Sequence, residues 1–429
     1  MKAVILAGGK GTRLGTLAHD IPKPMVHIGG KPILEHQIEL GKSCGINDYL
    51  LITGHLSGVI ENHFKNGKKF GVNISYFMET VPLGTTGGIK ACREQLHETF
   101  FVFYGDVMMN LDLNAMLAFH SAQKGMATLA VHPNDHPFDS DLLDIDDEHR
   151  IISFFPKPHS GAYYRNLVNA ALYILEPQIF NYLPEGKKAD FGKDIFPAVY
   201  KKEKIFAWNT PEYIKDVGTP ERLSEVSADL ESGKTAMLNR QNPRPAVFLD
   251  RDGVINEYRG LVSRPDDFIL YPFAARAIKK LEQAGFLCII ISNQPAVARG
   301  LCSIDDIRSI HKKMEWQLGL EQAKLDAVYF CPHHPDRGYP EENPDYKISC
   351  SCRKPDIGMI KQACLDFNID LKKSYFIGDS ARDMKCGKRA GLLNIAVETG
   401  ENTAAREDCF SICTNLEEAA GLICSVFKK

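Results

Sequence analysis

Two short apolar runs, each ending abruptly in a loop of glycine or aspartate, constrain this chain more than any other feature. Residues 2–6 (KAVIL) run into Gly8, Gly9 and Gly11, and residues 246–249 (AVFL) run into Asp250 and Asp252. Each reads as the first strand of its own α/β domain, with chemistry at the strand's carboxyl end. At 429 residues the chain is long for one core, so two domains are expected. The stretch 232–244 is polar and aperiodic and reads as a linker. That leaves domains at 1–231 and 245–429.

Further strands are expected at 49–53, 101–104, 127–131 and 168–175, with helical periodicity at 32–43 and 112–123. The second half repeats the alternation, with strands at 287–291 and 374–377 and helices at 273–284 and 304–318. Strand alternating with helix predicts an α/β fold class, with a parallel, doubly wound sheet in each half.

The net charge of −3 creates no field that would gather nucleic acid or an acidic membrane. No apolar run approaches the ~20 residues of a membrane helix, and the N-terminus has no cleavable signal pattern. A cytoplasmic setting is expected. There the twelve cysteines stay reduced, and the clustered ones read as metal ligands.

In ILAGGKGTRL, glycines let the backbone approach a phosphate or base closely. Arg13 and Lys23 follow and can neutralise a triphosphate. The bland alternative is a glycine-rich turn. A dinucleotide loop is excluded because Leu14 stands where its third glycine belongs, and no P-loop is present. Residues 4–25 (VILAGGKGTRLGTLAHDIPKPM) resemble the signature of sugar-1-phosphate nucleotidyltransferases. PLGTTGG at 82–88, YGD at 104–106, FPKP at 155–158, NAALY at 169–173 and KDVGTPERL at 215–223 follow in order. The resemblance implies a GT-A-like Rossmannoid fold in which a sugar phosphate oxygen attacks the α-phosphorus of a nucleoside triphosphate. By the same resemblance Asp106 and Asp216 hold Mg2+. Leu6, Ala7, Gly8, Gly9, Gly11, Thr12, Gly84 and Thr85 line the nucleotide, together with Arg13, Lys23 and Asp106. Lys157 and Asn169 bind the sugar phosphate, although Pro156 replaces the usual Glu before Lys157.

FLDRDGVIN places Asp250 and Asp252 two apart after a strand, so both face the same way. One carboxylate can attack phosphorus while the other protonates the leaving oxygen. A solvated loop would carry the same spacing. ISNQ at 291–294, RKP at 353–355 and IGDSARD at 377–383 complete a set that resembles the haloacid dehalogenase (HAD) phosphatases. The resemblance makes Asp250 the nucleophile and Asp252 the general acid/base. Ser292 and Lys354 steady the phosphoryl group. Asp379 joins Asp250 and the backbone carbonyl of Asp252 on Mg2+. Asn293 and Arg353 touch substrate, and Asp383 supports from behind.

Cys331, His333, Cys350 and Cys352 form C-x-H and C-x-C pairs, and three thiolates plus one imidazole suit tetrahedral Zn2+. The loop 331–352 between them has little core of its own, so a metal would hold it shut. With four protein ligands the site reads as structural, and His334 is a competing ligand. CPHHP followed by CSCRKP resembles the D,D-heptose 1,7-bisphosphate phosphatases and, more distantly, the histidinol phosphatases. One departure stands out: Ser380 follows Asp379 where the heptose enzymes usually carry Lys.

Taken together, the resemblances imply consecutive steps. A heptose 1,7-bisphosphate loses its 7-phosphate, and the heptose 1-phosphate is coupled with GTP to give a GDP-heptose for surface glycans. Two alternatives stay open: a mannose-type or other hexose transferase with a phosphatase of other specificity, and a catalytically silent sugar-nucleotide sensor. Small-molecule sugar phosphates and nucleoside triphosphate are the expected partners, and self-association into a homo-oligomer is left open.

Overall fold

The computed structural model describes residues 1–9, 21–159, 163–336, 338, 341–401, 403–404 and 408–427. The chain divides into two compact units. One comprises Met1–His132, Leu143–Pro156 and Asn169–Gln241; the other comprises Asn242–Lys429 with Pro133–Leu142 and Lys157–Val168. Within the stretch read as a linker, a short helix, Lys234–Met237, buries Thr235. No helix among the described residues is long and apolar enough to cross a membrane.

Among the described residues, the first unit is built on a mixed sheet of nine strands. Lys2–Leu6 lies at its centre, parallel to Asp48–Thr53 on one side and to Phe100–Tyr104 on the other. Ala3, Val4 and Ile5 are fully buried, as an unbroken apolar run flanked by parallel neighbours should be. Asn73–Met78 extends the parallel set. The expectation of a parallel sheet throughout fails at Val168–Leu175, which runs antiparallel to Phe100–Tyr104. A parallel return needs a long crossover, usually a helix. The described residues between Ala127–His132 and Val168–Leu175 instead form the strands Leu142–Ile145 and Ile151–Phe155 and the single turn Pro137–Asp139.

The second unit carries a six-stranded sheet in the order Ala327–Cys331, Leu287–Asn293, Ala246–Leu249, Tyr375–Gly378, Leu393–Val397, Ser411–Cys413. Every pairing is parallel. The chain starts in the middle, winds outward to one edge, then returns and winds to the other. The reversal lies between Leu287–Asn293 and Tyr375–Gly378, on either side of Ala246–Leu249, and a crevice at the carboxyl ends of the strands belongs there. Helices such as Ala274–Gln283 present an apolar stripe (Ala274, Ala277, Ile278, Leu281) to one face of this sheet.

Candidate active sites

In the first unit the strand Lys2–Leu6 delivers Ala7, Gly8 and Gly9, and Ala7 donates to Ile52 O at 2.8 Å. Gly11, Thr12 and Arg13 lie outside the described residues. The turn after Phe100–Tyr104 carries Asp106. Buried Gln37 braces it by donating to Tyr104 O (2.8 Å) and Val107 O (2.7 Å), while Gly105 N donates to Leu6 O at 3.0 Å. Strand Val107–Asn110 pairs antiparallel with Tyr213–Asp216, with Asp216 opposite Val107. Val217 N also donates to Asp106 O at 2.8 Å. Two aspartates distant in sequence therefore stand side by side. Each has a cation: Lys23 Nζ is 3.2 Å from Asp106 Oδ2, and Arg222 pairs with Asp216. The two carboxylates offer the hard oxygen donors that Mg2+ takes, and buried Lys23 adds a positive charge beside them.

Gly84 has a φ of +80°, and a Cβ there would overlap the carbonyl oxygen of Ala189. Thr85 N donates to that same oxygen at 3.0 Å, and Thr85 Oγ1 donates to Asp190 Oδ2 at 3.1 Å. Asn169 Oδ1 accepts from Ala171 N at 3.2 Å, and its amide nitrogen borders Gly192. The stretch 189–192 therefore lies between Gly84–Thr85 and Asn169. Asp190 carried no motif and escaped the sequence reading. Lys157 donates through Nζ to Asp139 O at 2.6 Å, and nothing described joins it to Asn169.

In the second unit Asp250 follows Ala246–Leu249, Ser292 and Asn293 end Leu287–Asn293, and Asp379 follows Tyr375–Gly378. The sheet alone brings them together. Lys354 Nζ, 2% exposed, is 2.8 Å from Asp250 Oδ1 and 2.7 Å from Asp383 Oδ1. Asp250, Asp379 and Asp383 place carboxylate oxygens within 4.8 Å of one another. Burial pushes Asp250 up to about 6 and Asp379 up to about 8, and their neighbouring carboxylates reinforce it. Burial opposes ionisation of Asp383 too, but Lys354 and Ser380 hold it below the usual carboxylate range. Asp383 also caps the helix Ala381–Ala390, accepting from Ser380 Oγ at 2.6 Å and Ser380 N at 3.1 Å. With Asp383 committed to Lys354 and the cap, Asp250 and Asp379 remain to take a divalent cation. Gly253 and Gly400 are packed so closely on Asp379 that a Cβ at either would overlap its carboxylate. This hard-oxygen cradle fits Mg2+.

Asp252 stands outside the three clustered carboxylates, though its charge still acts on Asp250. Arg251, fully buried, grips both its oxygens through Nη2 (2.9 and 2.8 Å). Asn256 Nδ2 (2.9 Å) and Gln294 Nε2 (2.8 Å) donate to it as well. Arg251 also donates to Gln294 Oε1 at 2.9 Å and lies 3.3 Å from His311 Nε2. Ser292, fully buried, accepts from Gln294 Nε2 at 2.9 Å. The middle letter of D-R-D is therefore a holder of the second aspartate, which two-residue spacing could not reveal.

Cys331 ends its strand beside Asn293. Its Sγ lies 3.5 Å from Cys350 Sγ and 3.2 Å from Cys352 Sγ, and Cys350 and Cys352 are 3.2 Å apart. His333 Nδ1 is 3.6 Å from Cys331 Sγ and 3.4 Å from Cys352 Sγ. Zinc–sulfur bonds of ~2.3 Å imply edges of ~3.8 Å between sulfurs and ~3.6 Å to nitrogen in a tetrahedron. The edges to nitrogen match and the sulfur edges are up to ~0.6 Å shorter, so a slight opening of the cluster seats Zn2+. Hydrogen bonding from Cys331, Cys350 and His333 draws the Cys352 thiol down to about 5 against the effect of burial. His334 Nδ1 is occupied by Asp336 N at 3.1 Å.

A parallel sheet whose switch point holds an aspartate nucleophile candidate, a buried lysine and a further aspartate defines a phosphoryl-transfer fold; the first unit is a separate Rossmannoid frame with its own carboxylate pair. A nucleotidyl transferase family model matches residues 2–233, and a HAD-hydrolase-like model matches 351–419. The chain is 42% identical over 161 residues to the D-glycero-D-manno-heptose-1,7-bisphosphate 7-phosphatase of Thermosynechococcus vestitus, covering 37% of this chain and 81% of that protein. It is 34% identical over 234 residues to the mannose-1-phosphate guanylyltransferase of Mycobacterium tuberculosis, covering 54% of this chain and 65% of that one. A UTP–glucose-1-phosphate uridylyltransferase of Synechocystis is 35% identical over 211 residues, covering 46% of this chain and 54% of that protein. The chain thus spans less than two thirds of the length of these two transferase relatives. It belongs to the nucleotidyl transferase family and, in its second half, to the HAD-type heptose-bisphosphate phosphatase family.

Proposed function

We propose that the chain is a bifunctional enzyme of activated-heptose synthesis, its two activities divided between 1–231 and 245–429. The second half removes the 7-phosphate of D-glycero-D-manno-heptose 1,7-bisphosphate. The first half couples the heptose 1-phosphate with GTP, giving GDP-heptose and pyrophosphate. The observation that carries this reading is the Asp250–Lys354–Asp379 cluster in a half that is 42% identical to a heptose-bisphosphate phosphatase. The product of that reaction is a sugar 1-phosphate, the class of acceptor a nucleotidyltransferase uses.

In the phosphatase half, Asp250 attacks phosphorus and forms an aspartyl phosphate. Asp252 gives a proton to the leaving sugar oxygen, then takes one from the water that hydrolyses the acyl phosphate. Lys354 neutralises the phosphoryl oxygens, with Ser292 beside them. Mg2+, held by Asp250, Asp379 and the Asp252 carbonyl, would supply charge neutralisation at the transferring group. Zn2+ on Cys331, His333, Cys350 and Cys352 would fold the loop that ends in Arg353 and Lys354.

In the transferase half, a sugar phosphate oxygen displaces pyrophosphate at the α-phosphorus, and catalysis is positioning and charge stabilisation. Lys23 and Arg13 steady the triphosphate, and Asp106 and Asp216 would hold Mg2+. The Leu6–Gly9 turn and Gly84 lie against the base, while Asn169 and Lys157 take the sugar phosphate. A reducing, cytoplasmic setting would keep Cys331, Cys350 and Cys352 as the thiolates that Zn2+ needs.

Incubating the protein with the heptose bisphosphate and each nucleoside triphosphate, then weighing the products, tests the whole reading. Phosphate release without nucleotide and a GDP-sugar with GTP alone are expected. A preference for UTP, as in the Synechocystis relative, overturns the guanylyl assignment. Faster turnover of mannose 1-phosphate than of heptose 1-phosphate gives the first half to the mannose type.

A further inference from the structure

Ser380 stands where the resembling heptose phosphatases usually carry a lysine, and the structure commits it elsewhere. It is 3% exposed, and its hydroxyl and backbone N–H both go to Asp383 as the helix cap. The cation of this turn is Arg382, two residues on, with its side chain half exposed. Its Nη2 lies 2.6 Å from Glu401 Oε1, and Tyr258 donates to the same oxygen at 3.1 Å. Glu401 is anchored in turn, because its backbone N–H donates to Asp379 Oδ2 at 2.6 Å. The Arg382–Glu401 pair thus stands at the rim of the carboxylate cradle, one hydrogen bond from Asp379.

A second guanidinium is near. Arg353 donates through Nη1 to His333 O at 3.1 Å, and the charges of Arg353 and Arg382 oppose each other. Arg382 also feels the carboxylates of Asp383 and Asp250. Helix stability does not account for Arg382: a cation in the first turn opposes the helix dipole, and an exposed ion pair contributes little. Two guanidiniums beside a cluster of acids do suit a dianion that must come to rest there, since arginine matches phosphate in geometry and charge.

Building on the phosphatase reading above, we infer that Arg382, with Arg353 nearby, receives the phosphate of a sugar bisphosphate that is not hydrolysed, and that Glu401 holds the guanidinium in place until that phosphate arrives. Arg382 is a specificity-determining residue. It supplies from the helix the charge that Ser380 lacks.

Steady-state phosphatase kinetics of the full chain test this with two pairs of substrates: heptose 1,7-bisphosphate against heptose 7-phosphate, and fructose 1,6-bisphosphate against fructose 6-phosphate. The readout is the ratio of kcat/KM for bisphosphate over monophosphate. Arg382→Ala is expected to lower that ratio at least fivefold, mainly through KM for the bisphosphate. Arg382→Glu should lower it further, and Arg382→Lys should restore part of it. Ratios within twofold of the wild type in the Ala and Glu variants overturn the inference, as does a wild type that does not favour bisphosphates in either pair. An Arg382-dependent ratio found with the fructose pair alone sustains the inference and removes the heptose assignment. Absence of turnover of any sugar phosphate removes the phosphatase reading and this inference with it.

Discussion

Asn293 clasps Lys354 by its backbone in both directions: Oδ1 accepts from Lys354 N at 2.9 Å, and Nδ2 donates to Lys354 O at 3.1 Å. The end of a rigid strand thereby fixes the loop that leaves the cysteine cluster and sets Lys354 Nζ against Asp250 and Asp383. Asn293→Ala should release this clasp and lower phosphatase kcat about tenfold, which is ~1.4 kcal/mol in the barrier. Zinc content measured in the same sample should stay at the wild-type level. An unchanged kcat would show that Lys354 is placed by its ion pairs alone.

Arg251 is a fully buried charge whose partner is Asp252. Removing one member of a buried pair costs ~3–5 kcal/mol. Arg251→Met should destabilise the second half by that order in denaturant unfolding. Adding Asp252→Asn should recover part of the loss. A cost below ~1 kcal/mol would mean that Asn256 and Gln294 hold Asp252 without help.

His311 is buried against Arg251, and burial, then the guanidinium charge, holds its imidazole well below the ordinary value of 6.5. The unfolded chain therefore binds a proton near pH 6.5 that the folded one does not. Stability from this group is present above pH 6.5 and is lost as the pH falls below it toward the folded-state value. Denaturant midpoints for the second half should fall between pH 7.5 and 5.5, and His311→Gln should flatten that slope. The same slope in the variant would assign it to other groups.

Stripping zinc with a strong chelator, then removing the chelator and restoring Mg2+, should abolish phosphate release and leave nucleotidyl transfer within twofold. The cluster has only cysteine and histidine ligands, and the loop 331–352 ends directly at Arg353 and Lys354. Cys350→Ser should do the same without chelator. Full phosphatase activity in a zinc-free sample would contradict the placing role of the metal.

Gly84→Ala meets two obstacles, a φ of +80° and the Ala189 carbonyl oxygen. It should raise KM for nucleoside triphosphate at least tenfold and leave phosphate release intact. An unchanged KM would remove the Gly84 loop from the nucleotide site.

Both first strands and the phosphatase set were legible because buried parallel strands leave unbroken apolar runs and their chemistry follows at the carboxyl end, as at Leu249–Asp250. The four cysteine and histidine positions were legible from spacing alone. The antiparallel insertion of Val168–Leu175 was not, since strand direction depends on partners far away in sequence. The proximity of Asp106 and Asp216 likewise arises from the Val107–Asp216 register, which no local pattern encodes. Nothing in the D-R-D spacing singles out Arg251, because burial of a charged residue is decided by Gln294 and His311, which reach it from elsewhere in the chain.

The most direct test measures phosphate and pyrophosphate release side by side in Asp250→Asn and Asp106→Asn. Two independent centres predict that the first variant loses phosphate release from the bisphosphate yet still makes nucleotide sugar from supplied heptose 1-phosphate, and that the second does the reverse. Loss of both activities in either variant, or of neither in both, would contradict the account.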